Sequence, residues 1–268
     1  MVGARRRRAR TGEAAAGRLP PLALAYHGVA DVPVADDPYG LFVRPRDLRR
    51  QVSRLRDWGY RLASFGELAA RARGGDARGW AALTFDDGFA DNLHTLVPLL
   101  EELGAPATVF VASGWLGRRH PYAPRARIVT AEELRVLHAR GVEIGGHTVT
   151  HPDLTTLSRD GARAELERGR RELEAIISSP VRVAAYPFGR ASTETVAACG
   201  AAGFDAACRT SGAGSWQEPL NLPRQDMDNG CTLTSLRLKR ADRYEPVMAF
   251  KAGRGLRRLV RLSRRVTR

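Results

Sequence analysis

The stretch AALTFDDG, Ala81–Gly88, runs five apolar or β-favouring residues into two adjacent carboxylates and then into a glycine that turns the chain. A short apolar run bounded by a turn signal reads as a strand buried on both faces. The same form recurs along the chain in LALAY 22–26, YRLAS 60–64, ATVFV 107–111, VEIGG 142–146, VRVAA 181–185 and FDAAC 204–208. Amphipathic segments separate these runs. In PRDLRRQVSRLRDWG, residues 45–59, Leu48, Val52, Leu55 and Trp58 recur at helical spacing. Thr130 opens the capping box TAEE ahead of a helix through His138 that Gly141 stops, and Ser158 caps a long helix reaching about Ile177. Strand alternating with helix predicts an α/β fold with parallel strands, closed as a barrel or left as an open sheet.

The residues just past the strand ends carry the functional signal. The first run leads to His27, the third to Asp86 and Asp87, the VEIGG run to His147, and the VRVAA run to Tyr186, Pro187, Phe188 and Gly189. Functional groups of parallel barrels collect at the carboxyl ends of the strands, so these four ends are expected at one mouth.

Two neighbouring carboxylates repel unless something positive lies beside them. HTVTH places His147 and His151 four residues apart, which on a helical turn would put two imidazoles on one side, able to grip one metal ion. Alone the spacing is a weak signal, and hydrogen-bonded structural histidines are the plain alternative. A strand-terminal Asp-Asp strengthens it, because a divalent cation needs an anionic ligand. With Asp87 as ligand, Asp86 is free to act as a general base on a water attacking a carbonyl. Backbone N–H groups of the YPFG segment could stabilise an oxyanion, and His27 could donate a proton to the leaving group.

In this order and at these separations, TFDDG, HTVTH and AYPFG resemble the first three motifs of the polysaccharide deacetylases of carbohydrate esterase family 4, the NodB-homology domain. The resemblance spans roughly Leu22 to Lys239. It implies a distorted (β/α)7-type barrel, Asp86 as base, Asp87, His147 and His151 as ligands of a divalent metal, usually zinc, and hydrolysis of an N-acetyl or sometimes O-acetyl group from a sugar. The chain departs from the family pattern twice. The Arg that often orients the catalytic Asp is replaced by Ala185, and no His follows His151 to supply the late acid. YHGV, Tyr26–Val29, is similar to the branch that includes poly-N-acetylglucosamine deacetylases, whose N-terminal strand provides that His, which assigns the acid role to His27. NLPR, Asn221–Arg224, is similar to a late segment of the same branch, and Arg224 is either the replacement for the missing Arg or a surface residue. Tyr186, Pro187 and Phe188 are the expected substrate and oxyanion segment, with the Phe188 N–H as donor. Tyr186 or Trp216 could stack on a sugar or pack in the core. His94, His120 and His138 carry no assignment, and Asp91 reads as a helix cap or first-turn acid.

The formal charge of +14 sits in the tails. Six Arg against Glu13 in residues 1–18, and seven Arg with Lys251 and no acid in residues 251–268, hold all but one of the excess positive charges. The body is near neutral, so the net charge does not indicate specific nucleic-acid binding. Residues 1–18 read as a basic disordered tail, 19–245 as the catalytic domain, and 246–268 as a basic amphipathic segment for which a membrane surface, a partner or plain solvation remain open. No apolar run approaches the roughly 20 residues of a membrane span, and the basic N-terminus lacks a signal-peptide core, so a cytoplasmic location is expected, either in solution or at the inner membrane surface. Cys199, Cys208 and Cys231 form no C-x-x-C pair and read as buried thiols. The expected partner is an acetylated sugar or glycan. A catalytically weak carbohydrate-binding relative is the alternative, suggested by Ala185 and the absent late His.

Overall fold

The computed structural model describes residues 19–210 and 213–241. Both basic tails therefore lie outside the described residues. All seven strands expected from the apolar runs are present, as β1 (Leu22–Tyr26), β4 (Arg61–Ala63), β5 (Trp80–Phe85), β6 (Thr108–Val111), β9 (Glu143–Gly146), β10 (Val183–Ala185) and β11 (Ala206–Cys208). An eighth, β12 (Gln225–Asp226), joins them in one parallel sheet whose order is β11-β10-β9-β6-β5-β1-β12, with β4 also on β5. Helices α1 (Pro45–Asp57), α2 (Phe65–Arg73), α3 (Val97–Leu103), α4 (Ala131–Ala139), α5 (Arg159–Ile177) and α6 (Thr193–Ala201) fill the crossovers. The result is the expected α/β architecture, a half-barrel of parallel strands wrapped by helices.

Strand β5 carries the distortion. Its one edge pairs with β1 over its length, from Leu22 opposite Ala81 to Tyr26 opposite Phe85. Its other edge is divided: β4 takes the lower half, to Ala63 opposite Ala82, and β6 takes the upper half from Thr84 opposite Thr108. Small residues line the interior beneath the mouth. Ala23, Ala82, Ala185 and Ala206 pack there with Phe65, Phe110 and Leu222, and the two phenylalanine rings meet edge to face at 5.7 Å. Alanines on the strands leave room for those rings, so this part of the barrel interior is filled by apolar side chains.

The helix signals hold in detail. Leu48, Val52 and Leu55 are buried along α1, Thr130 and Glu133 form the capping box of α4, and the Ser158 hydroxyl accepts the Gly161 N–H at the start of α5. Asp91 departs from its reading as a cap. It precedes a π-helical turn, Asn92–Leu96, without capping it, and its carboxylate accepts the Val29 N–H from the short strand β2 (Gly28–Val29). Two further pieces, β3 (Phe42–Val43) paired with β2 and a hairpin of β7 (Arg119–His120) and β8 (Ala123–Arg127), were not legible as strands. The chain divides into a compact unit ending at Gly230 and a second beginning at Cys231. The second contributes α7 (Leu233–Arg240), opened by a reciprocal cap between Thr232 and Ser235. Among the described residues no helix is long and apolar enough to cross a membrane.

Candidate active site

The two adjacent carboxylates are separated by their backbone. Asp86 continues the ladder, its N–H donating to the Tyr26 carbonyl at 2.8 Å, whereas Asp87 turns into the left-handed region at φ 71°. Their side chains meet different partners. Asp86 is held by Arg224 in a paired contact, Nη1 to Oδ1 at 2.7 Å and Nη2 to Oδ2 at 2.8 Å. Arg224 has no solvent exposure. It also donates to Thr84 Oγ1 at 2.8 Å and to the Arg209 carbonyl at 3.2 Å, and it lies over the Phe110 ring at 5.2 Å. Arg224 is thus buried against Asp86 and is not a surface residue. Burial alone would raise the Asp86 carboxyl, but the charge and hydrogen bonds of Arg224, aided by His147 and His27, hold it below the usual carboxylate range.

Asp87 faces the histidines. His147 Nδ1 donates to the Ala185 carbonyl at 2.8 Å, which leaves its Nε2 lone pair directed at Asp87 Oδ1, 3.5 Å away. His151 Nε2 lies 3.6 Å from the same oxygen. One ligand atom from each of the three residues falls within 4.8 Å of the others. Asp87 Oδ1 is buried with no hydrogen-bond donor. Two imidazoles and a carboxylate oxygen of this kind suit a divalent ion such as zinc, and an ion would satisfy the orphaned oxygen. Burial opposes ionisation of Asp87, but the His120 hydrogen bond and the three neighbouring histidines keep it well below the ordinary range. Burial, with His147 beside it, pushes His151 down to about 4, so its ring is neutral and able to ligate.

The histidine pair does not sit on a helical turn. His147–His151 is a loop after β9, with Thr148 at φ 67° and His151 at φ 57°. Side chains rarely tolerate this region, and a β-branched Thr least of all. The surroundings therefore have to hold it. Ser113 N–H donates to the Thr148 carbonyl at 3.1 Å and Gly114 N–H to the Val149 carbonyl at 3.0 Å. Glu165 on α5 accepts the Val149 and Thr150 N–H groups at 3.0 and 2.9 Å and the Thr150 hydroxyl at 3.0 Å. One turn on, Gly169 lets the helix backbone touch Thr148, since a Cβ there would lie 2.8 Å from the Thr148 carbonyl carbon. Glu172, on the same stripe, accepts the Ser113 hydroxyl at 2.6 Å.

His27 closes β1 and lines the same cavity, of about 390 Å³, as Asp86, Asp87, His147 and His151. Pro187 and Gly189 are buried in a tight turn, while Phe188, at φ 56°, projects into that cavity. Tyr186 and Trp216 do not line this cavity. Tyr186 is buried with its hydroxyl on the Leu220 carbonyl at 2.8 Å, and Trp216 packs against the barrel interior. The aromatics at the mouth are instead Tyr39, Tyr122 and Phe188. His120, which carried no assignment, is also part of the site: its Nε2 is 3.0 Å from Asp87 Oδ2. The hairpin brings it there, and no local sequence signal marks it. His94 lies elsewhere, against Glu133.

A family model described as polysaccharide deacetylase matches residues 74–207, half of the chain, which takes in Asp86, Asp87, His147, His151 and the Tyr186–Gly189 turn but neither His27 nor Arg224. The chain is 31% identical over 140 residues to a chitooligosaccharide deacetylase of Sinorhizobium fredii, covering 51% of this chain and 60% of that protein. It is 33% identical over 127 residues to a chitooligosaccharide deacetylase of Rhizobium leguminosarum bv. trifolii, covering 46% and 51%. The chain spans about half the length of the curated relatives it matches. Among solved structures, the Streptococcus pyogenes deacetylase PplD in complex with acetate superposes at a TM-score of 0.69 with 24% identity, over 81% of this chain and 97% of that one. That likeness is one of fold.

Proposed function

Because the chain belongs to the polysaccharide deacetylase family, we propose that it hydrolyses an acetyl group, an N-acetyl first of all, from an amino sugar or glycan, with the help of a divalent metal. One observation carries the reading: the adjacent carboxylates are sorted to two different partners at one cavity, Asp86 to a buried arginine and Asp87 to two imidazoles. Asp87, His147 and His151 would hold the metal, zinc in this reading, and a metal bound there supplies a Lewis acid that polarises the acetyl carbonyl and acidifies water.

The chain's own groups divide the remaining work. Asp86, kept ionised and fixed in direction by Arg224, takes the proton of the attacking water through a lone pair that the guanidinium does not use. The Phe188 N–H is the proposed donor to the oxyanion, held by the left-handed turn of Phe188. His27 gives a proton to the amine as the amide bond breaks, so that water and amide become acetate and a free amine. The exposed aromatics at the mouth suit the C–H faces of a sugar ring. Arg224 also weakens one ground for a binding-only relative, since it gives Asp86 a guanidinium partner that Ala185 cannot.

The test is acetate release from N-acetylglucosamine oligomers by zinc-loaded protein beside its Asp86→Asn variant. Release by the wild type alone supports the reading. Stoichiometric zinc with no release from any acetylated sugar would favour the binding-only relative.

A further inference from the structure

His120, in the hairpin of β7 and β8, is buried beside Asp87 yet falls outside the group of ligand atoms that Asp87, His147 and His151 form. Its two nitrogens have separate partners. Nδ1 accepts the Tyr122 and Ala123 N–H groups, both at 3.1 Å, across the turn of the hairpin. A nitrogen that accepts carries no proton, so the ring proton is on Nε2, which donates to Asp87 Oδ2 at 3.0 Å.

The donor is held by its ring contacts and by its backbone. Phe89 stacks on the imidazole at 4.5 Å, and Trp115 and Tyr122 meet it edge on at 5.2 and 5.7 Å. Trp115 also lies against His151, at 4.8 Å. The hairpin is fastened to the chain just past Asp87: the Ala90 N–H donates to the Arg127 carbonyl and the Val129 N–H to the Gly88 carbonyl, both at 2.9 Å. The segment that carries the carboxylate therefore also carries the mount of its hydrogen-bond donor.

Resting on the reading of Asp87 as a metal ligand, and on no particular substrate, we propose that His120 is a positioning residue for that carboxylate. Its Nε2–H fixes the rotation of the carboxylate, with Oδ1 turned to His147 and His151, before an ion arrives. One hydrogen bond leaves Oδ2 with unused lone pairs, so the role is orientation and not the exclusion of that oxygen from an ion. The neutrality of the donor matters as well. A cation in its place would repel a divalent ion, whereas a neutral N–H orients Asp87 and leaves its negative charge to attract one.

Two substitutions separate positioning from support of the turn. Asn matches Nδ1 in reach, so His120→Asn keeps an acceptor for the Tyr122 and Ala123 N–H groups and loses the donor to Asp87. Gln matches Nε2, so His120→Gln keeps the donor and loses the turn acceptor. Zinc titration of the metal-free protein should show a site about 10–100-fold weaker in His120→Asn and close to wild type in His120→Gln, with the visible spectrum of the cobalt-loaded protein altered only in His120→Asn. Binding by His120→Asn as tight as that of His120→Gln, or tighter, overturns the role. If the wild type binds no zinc, or Asp87→Ala binds it as tightly as the wild type, the metal reading itself fails and the proposal with it. Should His120→Asn not fold, nitrogen-15 spectra of the wild-type histidines decide. A His120 Nε2 that stays protonated without and with zinc supports the role, and one that gives up its proton to zinc makes His120 a ligand and overturns it.

Discussion

At the scale of single residues, Asp86 and Asp87 show how little side-chain type decides by itself. One residue of left-handed backbone sends two identical carboxylates to opposite kinds of partner. Asp86→Asn should keep zinc, by titration, and lose turnover by at least about 10²-fold, the usual worth of a general base. Arg224→Met leaves Asp86 without its counter-charge and should cost about 3–5 kcal/mol at neutral pH, read from denaturant unfolding of the metal-free protein. The sign with pH comes from the lowered Asp86. A depressed carboxyl adds stability above its unfolded value, and that stability is lost as pH falls through the folded one, so the gap between wild type and Arg224→Met should narrow below about pH 4. Asp91 behaves in the opposite sense, since burial pushes it up to about 6. Its folded form binds the proton more tightly, so it lowers stability as pH rises from 4 to 6. Asp91→Asn should therefore gain about 1–2 kcal/mol at pH 7.5 and nothing at pH 4, measured by unfolding at both values. The pair of carboxylates and the pair of histidines were legible because their chemistry is adjacent in sequence. Arg224 was legible only as one of two readings, and His120 not at all, because each meets its aspartate through distant folding.

At the scale of elements, α5 works as the back wall of the His147–His151 loop. Glu165, Gly169 and Glu172 lie on one helical stripe and together fix the backbone of Thr148–Thr150 and Ser113. In an isolated helix Gly169→Ala would help by about 1 kcal/mol. Here the added Cβ meets Thr148 backbone that cannot yield without moving His147 or His151. The expected outcome is a destabilisation of about 1–3 kcal/mol together with weaker zinc binding, checked by thermal unfolding and metal titration of one sample. The span of α5 could be read from Ser158 and the apolar spacing. The purpose of a glycine at its centre could not, since it answers to a neighbour and not to the helix. The HTVTH spacing misled in the other direction, because an i, i+4 pair suggests a helix wherever it occurs.

At the scale of the whole molecule, the seven main strands were legible because each is a short apolar run ended by a turn or polar signal. The two-residue strands β2, β3, β7 and β12 and the arginine-rich β8 carry no such pattern, and they exist because a neighbour's edge recruits them. β12 is the consequential one. It adds to β1 with Gln225 opposite Leu24 and Asp226 opposite Ala25, and that pairing delivers Arg224 to Asp86. A chain growing from its N-terminus has made Asp86 long before Arg224 exists. Until then the mouth holds an ionised group with no counter-charge, which favours an open and hydrated nascent barrel. The last strand to be synthesised in the sheet is thus the one that completes the base, and a ribosome-stalled chain ending short of Arg224 should be far more accessible to protease than one extended past β12.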